Sequence, residues 1–288
     1  MSELKPYFKQ VQSHYDLADD FFRLFLDPSM TYSCAYFERE DMTLEQAQQA
    51  KIDLALGKCD LHPGMTLLDV GCGWGSTMLR ALQKYDVNVI GLTLSENQYR
   101  YATELFRDLP GTPTSEVRLQ GWEEFNEPVD RIVSIGAFEH FRRHRYQAFF
   151  DKYFSLLPPG GRMLLHTIVA YQRATLEKMG IPVTEDAIRF AIFIVREIFR
   201  GGQLPEPEWV TGPAERAGFR VDRIQPLQPH YARTLDNWAA ALAARHDDAV
   251  RITSEEVYQR YMKYLTGCAE QFRSKRVDVM QFTLVKPE

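Results

Sequence analysis

The sequence predicts an α/β fold: a parallel sheet with helices on both faces, closed by an antiparallel pair at its end. Three observations carry that prediction. Apolar runs of strand length alternate with helical patterns through the middle of the chain. A turn of three alternating glycines, Gly71, Gly73 and Gly75, separates the first such run from its helix. The 288 residues, 45% hydrophobic and 25% charged, suffice for one large domain with an elaborated lid.

Residues 7–26 place aromatics and leucines at helical spacing and read as an amphipathic helix packed on the main domain. The hydroxyl-rich residues 31–37 have no helical period and read as a loop able to cover a pocket. Thr43, with Gln46 three residues on, is a capping box that opens the next helix. Strands are expected over 65–70, 87–94, 116–120, 131–135 and 162–168, with Ser95 starting the helix after the second. Ligands of such sheets bind beyond the carboxyl ends of the strands. Residues 183–200 are helical and apolar but interrupt the rhythm, which suggests an inserted lid; a core helix has the same period. Strand character returns at 219–227 and 279–285, around helices near 231–245 and 254–272. The expected organisation is one domain over 1–288, with a helical cover (1–60), a cofactor-binding core (61–170), a lid insertion (171–217) and a C-terminal part (218–288).

The glycine turn narrows the ligand. Dinucleotide folds show G-x-G-x-x-G, whereas this chain reads D-x-G-x-G-x-G from Asp69 and lacks the G-K-S/T of a phosphate loop. Glycines let the backbone approach a ligand, and the helix start behind them offers free N–H groups. Asp69 ahead of that turn suits a ligand with a positively charged amino-acid end, such as S-adenosylmethionine. The formal net charge of −5 argues against nucleic acid. Cys34, Cys59, Cys72 and Cys268 form no C-x-x-C pair, so neither a metal site nor a disulfide framework is indicated. With no apolar signal core and no run long enough to span a bilayer, a cytoplasmic location is expected.

Long, uncommon strings then add a family. They are His14-Tyr15-Asp16, residues 31–38, residues 64–75, residues 91–95 with Asn97 and Gln98, Gly121-Trp122-Glu123, residues 129–141, residues 228–232 and residues 261–268. On these strings the chain resembles the mycolic acid cyclopropane synthases, within the cyclopropane fatty acid synthase family, over nearly its whole length. The resemblance implies a class I methyltransferase, Rossmann-like sheet and methylation of a cis double bond in a very long acyl chain. It implies that Tyr32 and Ser33 touch S-adenosylmethionine and that Leu67, Leu68, Asp69, Val70, Gly71, Cys72, Gly73, Trp74 and Gly75 hold its methionine end. Thr93, Leu94, Ser95, Glu96, Asn97 and Gln98 fall at the ribose, with Gln98 in place of the usual acid, and Trp122 and Glu123 at the adenine.

An alkene is a weak nucleophile, so it must be aligned with the sulfonium methyl. The cation left by transfer must be shielded from water and faced by aromatic rings; Tyr15, Phe138, Phe199 and Tyr264 are candidates, each also readable as core. In the family the base that then removes a proton resembles a bound bicarbonate. Its cage, carried over, is Cys34, Glu139, His166 and Tyr231 with the Ile135 backbone. Alone, His166 reads more simply as a core histidine, and Cys34 and Cys268 as small buried hydrophobes. Family pattern labels the Cys268 position as the active-site cysteine, whereas the cage points to Cys34; alkene methylation needs no thiolate. Gly136 after Ile135 matches the cyclopropane formers, since members making hydroxylated products carry Glu there. Arg142-Arg143-His144-Arg145 departs from the family pattern and reads either as a solvated helix start or as a dock for an acyl carrier protein. Alternatives are a methyl-branched, hydroxylated product and a small-molecule N- or O-methyltransferase. Beyond the acyl chain and its carrier, a transient lipid contact is the remaining partner expectation.

Overall fold

The computed structural model describes residues 4–6, 18–109, 111 and 113–288. Seven strands form one sheet in the order β3-β2-β1-β4-β5-β7-β6. They are β1 (Thr66–Val70), β2 (Asn88–Thr93), β3 (Ser115–Leu119), β4 (Arg131–Ile135), β5 (Arg162–Ala170), β6 (Arg220–Pro226) and β7 (Val277–Val285). The first five run parallel, and β7 lies antiparallel between β5 and β6. The chain moves outward from β1 to β3, then returns to lay β4 on the other side of β1. That reversal leaves a crevice beyond the ends of β1 and β4, where neighbouring connections diverge.

Alternation along the strands sends side chains to both faces, and both are covered. Leu68, Val70, Met163 and Leu165 meet Phe149, Phe150, Val210 and Ala214 of the Tyr146–Leu156 and Pro207–Ala217 helices. Leu67 and Leu164 meet Ile52, Ala55, Met78 and Ala102 of the Leu44–Lys58, Ser76–Tyr85 and Glu96–Arg107 helices. A third core joins Phe21, Phe22 and Phe25 to Trp238 and Tyr261 of the Gln228–Ala243 and Glu255–Arg273 helices. Local signals act where expected. Thr43 and Gln46 close the capping box, and Ser95 Oγ accepts from Gln98 N. Of the helix expected over 7–26, Asp19–Phe22 is described as helical; His14, Tyr15 and Asp16 lie outside the described residues.

The Glu185–Phe193 helix and the π-helical turn Ile194–Ile198 sit over the carboxyl end of β5 and against the Glu255–Arg273 helix. Phe190 rests in a notch at Gly267, where a Cβ would come within 2.1 Å of its ring. No residue of Glu185–Phe193 is buried, and Ile188, Ile192 and Val195 are exposed. No helix among the described residues is long and apolar enough to cross a membrane.

Candidate active site

At the end of β1 the backbone turns through Gly71 (φ 89°), Gly73 (φ 56°) and Gly75 (φ 93°), conformations that side chains rarely adopt. A Cβ on Gly71 would lie 2.5 Å from Ala137 Cβ, whereas one on Gly73 would face open space. Gly71 N and Cys72 N both donate to Leu92 O, tying the turn to β2. Beyond it opens a cleft lined by Tyr32, Ser33, Asp69, Val70, Gly71, Cys72, Gly73, Trp74, Thr93, Leu94, Gln98, Trp122, Glu123 and Ile135. The other expected cofactor residues stand behind it. Leu67 and Leu68 are sheet interior, Gly75 begins a helix, Ser95 caps one, Glu96 is exposed and Asn97 partly so.

Thr93 Oγ1 donates to Gln98 Oε1 at 2.9 Å and accepts from Ser95 N, which fixes Gln98 at the cleft wall. Trp122 packs on Phe141 and Phe149. Glu123 Oε1 accepts from Arg145 Nη1 at 2.7 Å, while its buried Oε2 has no partner among the described residues. Arg145 is therefore no part of a surface dock: it is buried and also donates to Lys5 O. Arg143, its guanidinium 3.7 Å above the Trp209 ring, and His144 are exposed.

A second, apolar cavity lies between the lid helix, β5 and the Glu255–Arg273 helix, and Cys34, Glu139, His166, Tyr231 and Cys268 all line it. Tyr32, Ser33, Gly136 and His140 line both cavities, so they mark the junction. Ile135 lies on the cofactor side only. Phe199 and Tyr264 line the apolar cavity edge to face, 5.6 Å apart, and Tyr32 OH donates to Tyr264 OH. Phe138 is core: it stacks on Tyr146 at 4.1 Å and lines neither cavity, because the short helical turn Phe138–His140 points it away from Glu139.

Local geometry fixes the state of the polar groups here. Glu139 Oε1 accepts from Ile168 N at 2.7 Å, and burial raises its pKa. Lys58 Nζ donates to the Oε1 atoms of Gln225 and Gln281 at 2.7 and 2.5 Å. That orients the Gln281 amide so that Nε2 faces His166 Nδ1 at 3.2 Å. Nδ1 is thus the acceptor and the ring proton sits on Nε2. Burial, with Lys51 and Lys58 nearby, holds the imidazole neutral. Glu139 Oε2 and His166 Nε2 are buried without partners among the described residues. A buried donor and a buried carboxyl oxygen left open in one cavity fit a small oxyanion such as bicarbonate. Burial raises the pKa of the Cys34 and Cys268 thiols, which favours the neutral thiol at both.

Lys51, Ser76, Thr77 and Gln120 also line the first cleft and were not singled out in the sequence as site residues, whereas Thr31, which lines it too, belongs to the loop expected to cover a pocket. Gln48 and Lys51 carried a signal: both fall among Ala47, Ile52 and Ala55 on the buried stripe of their helix. Gln48 Nε2 donates to Thr31 O and Ser33 O at 3.2 and 2.8 Å, and so holds the loop that separates the cavities.

The family model described as mycolic acid cyclopropane synthetase matches residues 2–282. Cyclopropane mycolic acid synthase 1 of Mycobacterium tuberculosis is 61% identical over 284 residues, 99% of each chain. The solved structure of mycolic acid cyclopropane synthase CmaA1 complexed with SAH and CTAB matches with a TM-score of 0.96 at 61% identity, covering 99% of this chain and 100% of that one. Cyclopropane synthase MmaA2 from Mycobacterium tuberculosis matches with a TM-score of 0.97 at 59% identity, covering 99% and 100%.

Proposed function

The chain belongs to the mycolic acid cyclopropane synthetase family of S-adenosylmethionine-dependent methyltransferases, and from that premise we propose that it converts a cis double bond of a very long, mycolic-type acyl chain into a cyclopropane ring. The observation that carries this reading is the junction: a polar cleft meets an apolar cavity at Tyr32, Ser33, Gly136 and His140. S-adenosylmethionine in the cleft would supply the methyl group, and bicarbonate in the cavity would take up the proton released at ring closure. The relative's CTAB, a long-chain amphiphile, supports an acyl chain as occupant of the cavity.

The chain's own residues divide the remaining work. Tyr32 and Ser33 touch the cofactor at the junction, so that its sulfonium methyl faces the acyl cavity, where alignment lowers the barrier to attack by a weak nucleophile. Phe199 and Tyr264 present ring faces to the cation and exclude water. His166 Nε2–H donates to the oxyanion. Glu139, its pKa raised by burial, shares a proton with it rather than repelling it. Gly136 places no side chain at the junction; the nearest atom to an added Cβ is Ser33 Cβ at 4.0 Å. That room supports deprotonation over hydration, since no carboxylate there activates a water. Delivery by an acyl carrier protein would fall to the exposed Arg143 and His144.

The test is incubation of the purified protein with S-adenosylmethionine and a long cis-monounsaturated acyl carrier substrate, followed by mass spectrometry and proton NMR of the lipid. The expected result is a gain of one methylene with loss of the olefinic signals. A gain of a methyl and a hydroxyl overturns the product. An unchanged lipid with the cofactor still bound overturns the substrate.

A further inference from the structure

Lys51 is a buried ammonium group on the Leu44–Lys58 helix, and it lines the cofactor cleft. Among the described residues its one hydrogen bond runs from Nζ to Ser33 Oγ at 2.7 Å, and it makes no ion pair. Asp69 lines the same cleft and is just as buried, yet the two groups are not bonded to each other. Burying a charge with no ion-pair partner is costly, and the attraction between Lys51 and Asp69, with Asp27 adding to it at Lys51, offsets only part of that cost. Burial accordingly pulls Lys51 down to about 8 and pushes Asp69 up to about 7.

A ligand that carries both charges on one carbon removes both costs at once. The amino-acid end of S-adenosylmethionine is such a group. Resting on the methyltransferase reading above, we propose that Lys51 binds the carboxylate of the cofactor's amino-acid end while Asp69 takes its ammonium. Ser33, held by Lys51 and by Gln48 through its carbonyl, sits between this end and the acyl cavity. Seating the zwitterion therefore also sets the loop that the alkene must pass.

The test is calorimetric titration of the cofactor-free protein with S-adenosylhomocysteine and with 5′-methylthioadenosine, which keeps the nucleoside and thioether but has neither charge. In Lys51→Met, S-adenosylhomocysteine is expected to weaken at least about tenfold and 5′-methylthioadenosine less than about twofold. Equal weakening of the two ligands, or of neither, overturns the assignment. Where the variant does not fold, the Lys51 Nζ resonance of the wild-type protein supplies the second measurement. It is expected to shift with S-adenosylhomocysteine and not with 5′-methylthioadenosine; the same response to both overturns the assignment. Failure of wild-type protein to bind S-adenosylhomocysteine would overturn the methyltransferase reading itself.

Discussion

At the residue scale, the tautomer of His166 is set by neighbours that do not line the cavities. Lys58 acts on His166 through one amide, which decides the ring nitrogen that carries the proton. In Gln281→Leu that orientation is lost while the site stays filled by a side chain of similar size. The expected outcome is a mixture of tautomers by imidazole ¹⁵N shifts and a fall of about tenfold or more in turnover, by analogy with partners that orient a metal-bound imidazole. A retained single tautomer would show that Gln281 is packing only.

Two other groups oppose each other in pH. Burial pulls His140 down to about 4, so between its ordinary 6.5 and that value the unfolded chain binds more protons. Its contribution to stability is therefore lost as the pH falls through that window. Asp69, raised to about 7, has the opposite sign: its contribution is present at low pH and is lost as the pH rises from 3.8 to about 7. In His140→Gln the melting temperature should decline less between pH 6.5 and 4 than in the wild-type protein. Parallel declines would mean that His140 titrates normally.

At the element scale the lid contrasts with the helices it rests on. Gln228–Ala243 buries Tyr231, Leu235, Trp238 and Leu242, whereas Glu185–Phe193 buries no residue fully and half-buries Phe190 and Phe193. Full burial of a Leu- or Phe-sized side chain contributes roughly 1.5–3 kcal/mol, so this segment is expected to open more readily than the helices it rests on. Its seat is the Phe190–Gly267 notch. Gly267→Ala pushes a methyl into the Phe190 ring. The expected outcome is a several-fold higher KM for the acyl substrate, faster amide exchange over 185–198 and an unchanged affinity for S-adenosylhomocysteine. An unchanged KM would separate lid seating from acyl binding.

At the scale of the whole molecule, the cofactor cleft draws walls from regions far apart in sequence: the loop at Tyr32, Lys51, the ends of β1 and β2, residues 120–123 after β3, and the turn after β4. A ligand there ties these regions together only in the folded state. At about 100 times its Kd, S-adenosylhomocysteine should add about 2.7 kcal/mol. At roughly 1.5–2 °C per kcal/mol for a chain of this size, that is a rise of about 4–5 °C in melting temperature. A rise confined to one of two separate transitions would show that the regions unfold independently.

The sequence by itself determined the sheet, the glycine turn and the family. Strand periodicity, positive-φ glycines and capping residues act over a few neighbouring positions, and the family strings are contiguous. It also marked Cys34, Glu139, His166, Tyr231 and Cys268, which fold to one cavity although they span most of the chain. Only the tertiary structure decided that Phe138 turns to the core, that Arg145 pairs with Glu123, and that Gln281 and Lys58 orient His166. The same holds for Lys51, whose position in a buried helical stripe reveals a functional group only once Asp69 stands in the same cleft. The physical reason is range. Backbone preferences are local, whereas burial, counter-charge and tautomer depend on groups that meet only after strands and helices have packed.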